Sequence, residues 1–577
     1  MGDGPSALLY RIRCLLRRRE VDVWYDPAYR LPLSGLEFTG MDPRRADLVA
    51  WWLRQSHAVA RSWWRSPRRA SFEELARVHT SELLDSISRP ENLAAAFGVD
   101  PSDVPVDEVL RTVRLSTGAT IQAAGEALRR RKPQLNLLGG FHHASPTAAG
   151  GNCPVNDIAV AVAAVRRDGF RGRVVVVDLD AHPPDGVAAC LARDPDHWIG
   201  SLSGSDWGPL PGVDETVLPE GTDDRAYVEA LRALLSRMPA PDLAFVIAGG
   251  DVLAGDRLGK LGLTLGGVRR RDVIVAAHLE GVPSVWLPGG GYGHNAWKVL
   301  AGTGMALSTG TLDTIPANYD PLATQFASIA RSLGPGLTRR EEITEDDLAE
   351  SLGLRPVRQP LLLGFYTAAG MENALQRFGL FEQLTRLGYE NFRVAFDKAE
   401  PGDRMRVYGD ADGTEHVLVE AILERRRVMG APVLYVHWLS LRHPRVQFSL
   451  MRPRLPGQEV PGLGLAREIG EMLALMAVRL GLAGVVYRPA HYHTAYAARH
   501  HFSFLDPERQ GRFEALVRDL GSLPLLDATR AIDEGRVQLD GKPYAWEPDE
   551  MGLWLRESPE EPGEVAHARE RARFTVT

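Results

Sequence analysis

Four short apolar runs recur through the first half of the chain: LNLLGG, RVVVVDLD, LAFVIAGG and PSVWLPGG. Each ends in glycine or an acid and precedes a segment of helical periodicity. Brief β-branched runs alternating with longer helical patterns are what a parallel sheet buried on both faces requires. The fold class expected over residues 20–312 is therefore α/β, a parallel sheet flanked by helices. Ligands of such sheets gather beyond the carboxyl ends of the strands, which is where the polar residues of these runs stand.

A chain of 577 residues exceeds what one hydrophobic core supports. Pro and Gly breaks, then an acidic stretch in which Thr344 and Asp347 have capping-box spacing, mark a linker at 313–350. After it, a helical segment (TAAGMENALQRFGLFEQLTRLGY), two strand candidates joined through DADGT, and APVLYVHWLSLRH read as a separate α+β domain over 351–560. A charged tail is expected at 561–577. Residues 1–19 form an N-terminal extension: MGDGPS loosely fits a myristoylation pattern and ALLYRIRCLLRRRE is basic and amphipathic. Such short patterns recur by chance, so a frayed N-terminal extension or a surface helix is expected there rather than a membrane contact.

A net charge of −7 gives no basis for a nucleic-acid partner, which needs a concentrated basic face. Three cysteines, Cys14, Cys153 and Cys190, cannot build a disulfide framework and suit a reducing, cytoplasmic compartment. The most apolar stretch, LALMAVRLGLAGVV, is broken by Arg479 and too short to span a bilayer.

In VVVVDLDAHPPDG, Asp178, Asp180 and His182 alternate, so all three can face one side as a strand ends. Two carboxylates and an imidazole buried together need a cation, and Zn²⁺ accepts such a donor set. Asp180 and His182 are two candidate ligands. Asp251, directly after LAFVIAGG, is the third, leaving an open coordination position of the catalytic kind. His142 and His143 follow LNLLGG and can converge in an irregular loop, with Asp178 and Asp185 as orienting partners. Tyr292, on the GGGYG turn, can donate to a developing oxyanion. Together these parts suit metal-assisted amide hydrolysis.

GGFHHAS, VDLDAH, GGDVLAGDRLGKLGLT and GGGY resemble the histone deacetylase superfamily, with its arginase-like fold, over about residues 20–310. YDPAYRLPLSGLE, RLSTGATIQAAGEAL, GDRLG and VRRRD extend the resemblance to the class IV branch. It implies zinc on Asp180, His182 and Asp251, an acid/base pair in His142 and His143, and Tyr292 as oxyanion donor. It further implies a potassium site on Asp178, Asp180, His182, Ser201 and Leu202, and a fatty-acyl lysine substrate. Gly151, Asn152, Leu210, Gly290 and Gly291 would line the acyl channel. Three positions depart from the family: Pro183-Pro184 follow the zinc histidine, and Asn152 stands where a channel Phe is usual. With Leu210 as the opposite wall, the aromatic sandwich around the acyl-lysine chain is expected to be weakened or lost.

In the second domain, Glu459 to Ala466 reads ExxGxGLA ahead of a helical apolar pattern, a glycine loop whose free N–H groups suit a pyrophosphate. It resembles the acyl-CoA loop of GNAT-type acetyltransferases, implying an acyl-CoA site at Gly462, Gly464, Leu465 and Ala466. Glu459 departs from the usual Gln or Arg. His491, His493, His500 and His501 lack an adjacent carboxylate or cysteine and read as ordinary structural histidines, and Trp438 reads as core. The leading function is hydrolysis of an N-acyl amide, on acyl-lysine or an acylated small molecule. A small-molecule amidohydrolase or a weakly catalytic acyl-lysine-binding regulator are the alternatives.

Overall fold

The structure, a computed structural model, describes residues 5–33, 36–293, 295–316, 319–333, 360–449, 452–521, 523–555 and 563–576. The chain divides into two units, Met1–Pro321 and Leu322–Thr577.

The first unit is built on eight strands: β1 (Asp22–Trp24), β2 (Trp64–Arg65), β3 (Gln134–Asn136), β4 (Val174–Asp178), β5 (His197–Ser203), β6 (Val213–Val217), β7 (Leu243–Ile247) and β8 (Ser284–Leu287). Their order is β2-β1-β3-β8-β7-β4-β5-β6, and every pairing is parallel. All carboxyl ends therefore share one edge. The four valines of β4 and all of β7 are fully buried, as expected of strands covered on both faces. The covering helices are α1 (Pro5–Leu16), α2 (Arg45–Gln55), α3 (Val106–Arg130), α4 (Asp157–Arg167), α5 (Asp185–Leu191), α6 (Asp224–Arg237), α7 (Leu265–His278) and α8 (Ala296–Thr309). Helix α3 packs on α4, α7 packs on α6 and α8, and α8 packs on α2. Within the expected extension 1–19, α1 docks on this unit: Cys14 is buried and the Tyr10 ring lies 6.2 Å from Trp52.

The second unit has a seven-stranded sheet, β14-β17-β13-β12-β11-β10-β9. Its strands are β9 (Glu390–Ala399), β10 (Gly402–Ala411), β11 (Thr414–Val428), β12 (Ala431–Leu441), β13 (Gly484–Tyr487), β14 (Ser503–Phe504) and β17 (Met551–Trp554). The strands from β9 to β12 are antiparallel, whereas β12 and β13 run parallel across an intervening helix, α9 (Ala466–Arg479). The DADGT turn joins β10 to β11 with Asp412 and Gly413 both at positive φ, the requirement of a two-residue hairpin turn. A smaller sheet joins β15 (Val537–Leu539), β16 (Lys542–Pro543) and β18 (Phe574–Val576).

Two expectations change here. The end of the chain is no bare tail, because Gly563–Arg571 is helical and β18 pairs with β15, burying Val565, Ala568 and Phe574. Trp438 is 49% exposed rather than core: a register shift between Ile422 and Leu423 of β11 opposes it, and an extra residue in one strand re-aims the side chains beyond it. The capping-box pair Thr344 and Asp347, with most of the expected linker, lies outside the described residues. Pro321–Ser332, at its start, is helical.

A candidate metal centre at the carboxyl edge of the first sheet

Strand β4 ends at Asp178, so strand alternation does not carry Asp180 and His182 to one face. Local hydrogen bonds do that work. The Asp180 N–H donates to Asp178 Oδ1 at 3.0 Å and the His182 N–H to Asp180 Oδ1 at 3.1 Å, each aspartate turning the chain two residues on. Asp251 follows β7, the neighbour of β4. Ligand atoms of Asp180, His182 and Asp251 lie within 4.8 Å of one another, and both carboxylates are fully buried.

His182 Nδ1 sits 3.1 Å from Asp180 Oδ1 and 3.0 Å from Asp251 Oδ2. Burial opposes its charge, but the two carboxylates outweigh burial and raise its pKa to about 11. Asp180 is held well below the carboxylate range despite burial, by His142 and His182, while burial and the Asp180 charge push Asp251 up. Two dry carboxylates so close demand a positive charge between them, which a proton on His182 or a metal ion can provide. The donor set fits a divalent cation with an imidazole and two carboxylate oxygens.

Neighbouring groups fix these ligands. The Gly290 N–H donates to Asp180 Oδ2 at 2.6 Å and the Ala181 N–H to Asp251 Oδ1 at 3.0 Å. Arg271, fully buried, donates to the carbonyls of Leu179 and Gly249 and to Asp272, tying the β4 and β7 loops together. Arg45, at the start of α2, donates to the Gly289 and Gly290 carbonyls. Asp256 accepts the Tyr292 N–H at 2.7 Å and so sets the glycine turn.

His142 and His143 have ring centroids 4.0 Å apart. His142 Nδ1 meets Asp178 Oδ2 at 2.8 Å, and His143 Nδ1 meets Asp185 Oδ1 at 2.7 Å. Their environments push them apart. Burial opposes charge on His142, yet Asp178 and Asp180 raise its pKa to about 9. His143 is lowered by burial and by the His142 charge, with Asp185 opposing. Their pKa values are thus driven in opposite directions, the kind of separation that acid/base pairs use. Gly151 stands against this pair at φ +55, where an added Cβ would meet the His143 ring at 2.4 Å.

Tyr292 is almost wholly buried. Desolvation, then the Asp180 and Asp251 charges, raise its pKa far above the usual value, so it remains a donor. Asn152, at positive φ, points its Nδ2 at the Tyr292 hydroxyl at 3.2 Å, while its Oδ1 is buried with no hydrogen-bond partner. Gly290 lies against the Asp180 and Asp251 carboxylates and Gly291 against Ala296 and Arg45. Leu210 is half-buried in the loop after β5.

An aromatic ring outside the expected channel residues stands near the two histidines. Trp207, 52% exposed, places its ring 5.3 Å from His143 and 6.1 Å from His182. The loop SGSDWGPLPG carries an aromatic three residues before Leu210, and its fold brings that ring over the site. Ser201 pairs with Asp178 across β4 and β5, with its hydroxyl buried and without a hydrogen-bond partner; Leu202 is buried beside it. In the second unit, Leu465 caps α9 without a side-chain bond, Ala466 begins the helix, and Gly464 is at φ +72 close after Gly462.

Sequence reasoning missed Trp207, Arg45, Asp256 and Arg271 as functional or positioning residues. For the last two the only signal was their place in GDRLG and VRRRD; a lone Trp in a loop or Arg at a helix start carries none.

Residues 39–305 match the family model described as the histone deacetylase domain. An uncharacterised protein of Picosynechococcus sp. is 36% identical over 196 residues, 32% of this chain and 65% of that protein. Histone deacetylase 2 of Arabidopsis thaliana is 29% identical over 299 residues, 49% of this chain and 77% of that protein. The chain thus spans somewhat less than two thirds of the first relative's length. A crystal structure of a histone deacetylase homologue from Aquifex aeolicus aligns with a TM-score of 0.44 at 24% identity, covering 50% of this chain and 84% of that one.

Proposed function

We propose that the histone deacetylase domain of residues 39–305 hydrolyses an N-acyl amide, with zinc held by Asp180, His182 and Asp251. The observation that carries this reading is the meeting of those three donors within 4.8 Å, beside two imidazoles each anchored through Nδ1 by its own carboxylate. Zinc, when bound, supplies a Lewis acid for the acyl carbonyl and for water. His143, neutral and anchored through Nδ1 by Asp185, takes a proton from water at Nε2 and returns it to the leaving amine. His142, kept charged by Asp178, offsets negative charge as the tetrahedral state forms. Tyr292 donates its hydroxyl to that oxyanion.

The substrate is an acylated lysine or an acylated small amine. The second alternative gains support from Asn152, which puts a buried, unpartnered amide oxygen where the family's channel phenylalanine is apolar. The complete set of ligands, histidines and tyrosine disfavours a purely binding role. A structural potassium on Asp178, Asp180, His182, Ser201 and Leu202 is supported by the unpartnered Ser201 hydroxyl beside Asp178. For the second unit we read acyl-CoA binding at Gly462, Gly464, Leu465 and Ala466, supported by the uncapped start of α9 between two parallel strands; calorimetric titration with acetyl-CoA tests it.

The decisive experiment pairs metal analysis of the purified protein with hydrolysis of an acyl-lysine chain-length series by wild type and Tyr292→Phe. One zinc per chain and a rate loss of about 10²–10³ in the variant are expected. Equal inactivity of a zinc-loaded wild type on every acyl-lysine peptide would move the assignment to small acylated amines.

A further inference from the structure

Helix α1 carries apolar side chains on two opposite sides. One side is docked, with Cys14 1% exposed and Tyr10 against Trp52. On the other side Leu9, Ile12, Leu15 and Leu16 are 67%, 42%, 45% and 83% exposed. At 3.6 residues per turn these four fall within an arc of about 120°, centred opposite the docked residues. A solvated helix face has no reason to be apolar, and a contiguous apolar patch with a polar rim marks a surface that meets something.

The rim is cationic. Residues 5–19 hold five arginines, Arg11, Arg13, Arg17, Arg18 and Arg19, and no acid; of these Arg13 is paired with Asp313. Beside the helix lies a cavity of about 560 Å³ lined by Arg18, Arg54, His57, Val59, Arg61 and Trp64. Among the described residues no carboxylate lines it. Arg18 donates to the His57 carbonyl, Arg54 stacks 4.3 Å from the Trp64 ring, and Arg11 Nε is buried without a hydrogen-bond partner. The His57 imidazole is pushed below its ordinary pKa by burial and then by Arg11, Arg18 and Arg61, as expected where positive charge is unbalanced. Charges gathered around a cavity without counter-ions repel one another and favour an anionic occupant.

We propose that the outer face of α1 and the adjoining arginine cavity dock onto an anionic phospholipid surface. Leu9, Ile12, Leu15 and Leu16 enter the boundary between headgroups and acyl chains, while Arg17, Arg18, Arg54 and Arg61 meet lipid phosphates. Apolar insertion joined to arginine contacts is the combination by which interfacial helices hold a membrane. Charge complementarity selects an anionic lipid surface over a second copy of the same face, because arginines predominate around the apolar arc.

The test is co-sedimentation of the full chain with phosphatidylcholine vesicles made with and without phosphatidylserine, at low and high salt. Binding confined to the phosphatidylserine vesicles and weakened by salt is expected. The substitutions Leu9→Ser with Leu16→Ser, at exposed positions with no core to lose, should reduce binding about tenfold or more. Arg54→Ser with Arg61→Ser should reduce it comparably and make the remaining binding less sensitive to salt. Equal binding to both vesicle types, no binding to either, or wild-type binding by the leucine pair overturns the proposal. Concentration-dependent self-association in sedimentation velocity that the leucine pair abolishes, without vesicle binding, would assign the face to a second copy instead.

Discussion

Replacing Gly290 with alanine tests the metal centre without reference to any reaction. The new methyl would lie 2.7 Å from Asp251 Oδ2 and 2.9 Å from Asp180 Oδ2, whereas ordinary contacts begin near 3.4 Å. The two carboxylates must therefore retreat by about 0.7 and 0.5 Å, while metal–ligand distances tolerate only about 0.2 Å. Retreat also strains the 2.6 Å bond from the Gly290 N–H to Asp180. Changes to groups that merely support ligands cost about 10–100-fold in affinity; displacing two of three ligands should cost about 100-fold or more, or roughly 2.7 kcal/mol. Gly290 is not among the positive-φ glycines, so its backbone accepts alanine and the metal-free fold should persist. Gly293→Ala is the control, since its Cβ would find nothing nearer than Asp256 Oδ2 at 3.7 Å. Zinc affinity is read by competition with a chelator. Affinity of Gly290→Ala within about threefold of wild type would refute the placement of Asp180 and Asp251 as ligands.

Four further outcomes follow from the same geometry. Tyr292→Phe should lose about 10²–10³ in turnover at unchanged zinc content; a loss accompanied by metal loss would show a structural role instead. Zinc binding near pH 8 should release about one proton, because His182, raised to about 11 in the metal-free protein, must lose its proton to become a ligand, and affinity should therefore climb as pH rises towards that value. Calorimetry in buffers of different ionisation enthalpy measures it, and no released proton would contradict the charge balance described here. NMR titration of the metal-free protein should find His142 deprotonating near pH 9 and His143 below its ordinary value of 6.5; the reverse order would exchange their roles. Trp207→Ala, at a half-exposed position, should leave stability within about 0.5 kcal/mol and raise KM for long acyl chains, while unchanged kinetics across the series would remove Trp207 from the substrate path.

The buried strands, the site at their carboxyl edge and the four polar motifs were legible because each is a local property of a few consecutive residues. Four valines before Asp178 admit little but a covered strand, and Asp178, Asp180 and His182 cannot remain in an apolar core. The order His142–His143, Asp178, Asp180–His182, Asp251 and Tyr292 could be read along the chain. Strand alternation, the reason first offered for the convergence of Asp180 and His182, gives way to turns held by aspartate side chains once β4 ends.

Sequence by itself determined which residue types were available for chemistry and at which strand ends they would stand, since periodicity and burial act over neighbours. Tertiary structure decided what each did. The protonation split between His142 and His143 depends on carboxylates 36 and 42 residues away, and Asn152 meets a tyrosine 140 residues distant. The same holds for Trp207 over the histidines and for the apolar arc of α1, whose exposure is set only when Tyr10 and Cys14 dock. Electrostatic and packing energies depend on distances in space, and a one-dimensional pattern holds no record of those until the chain has folded.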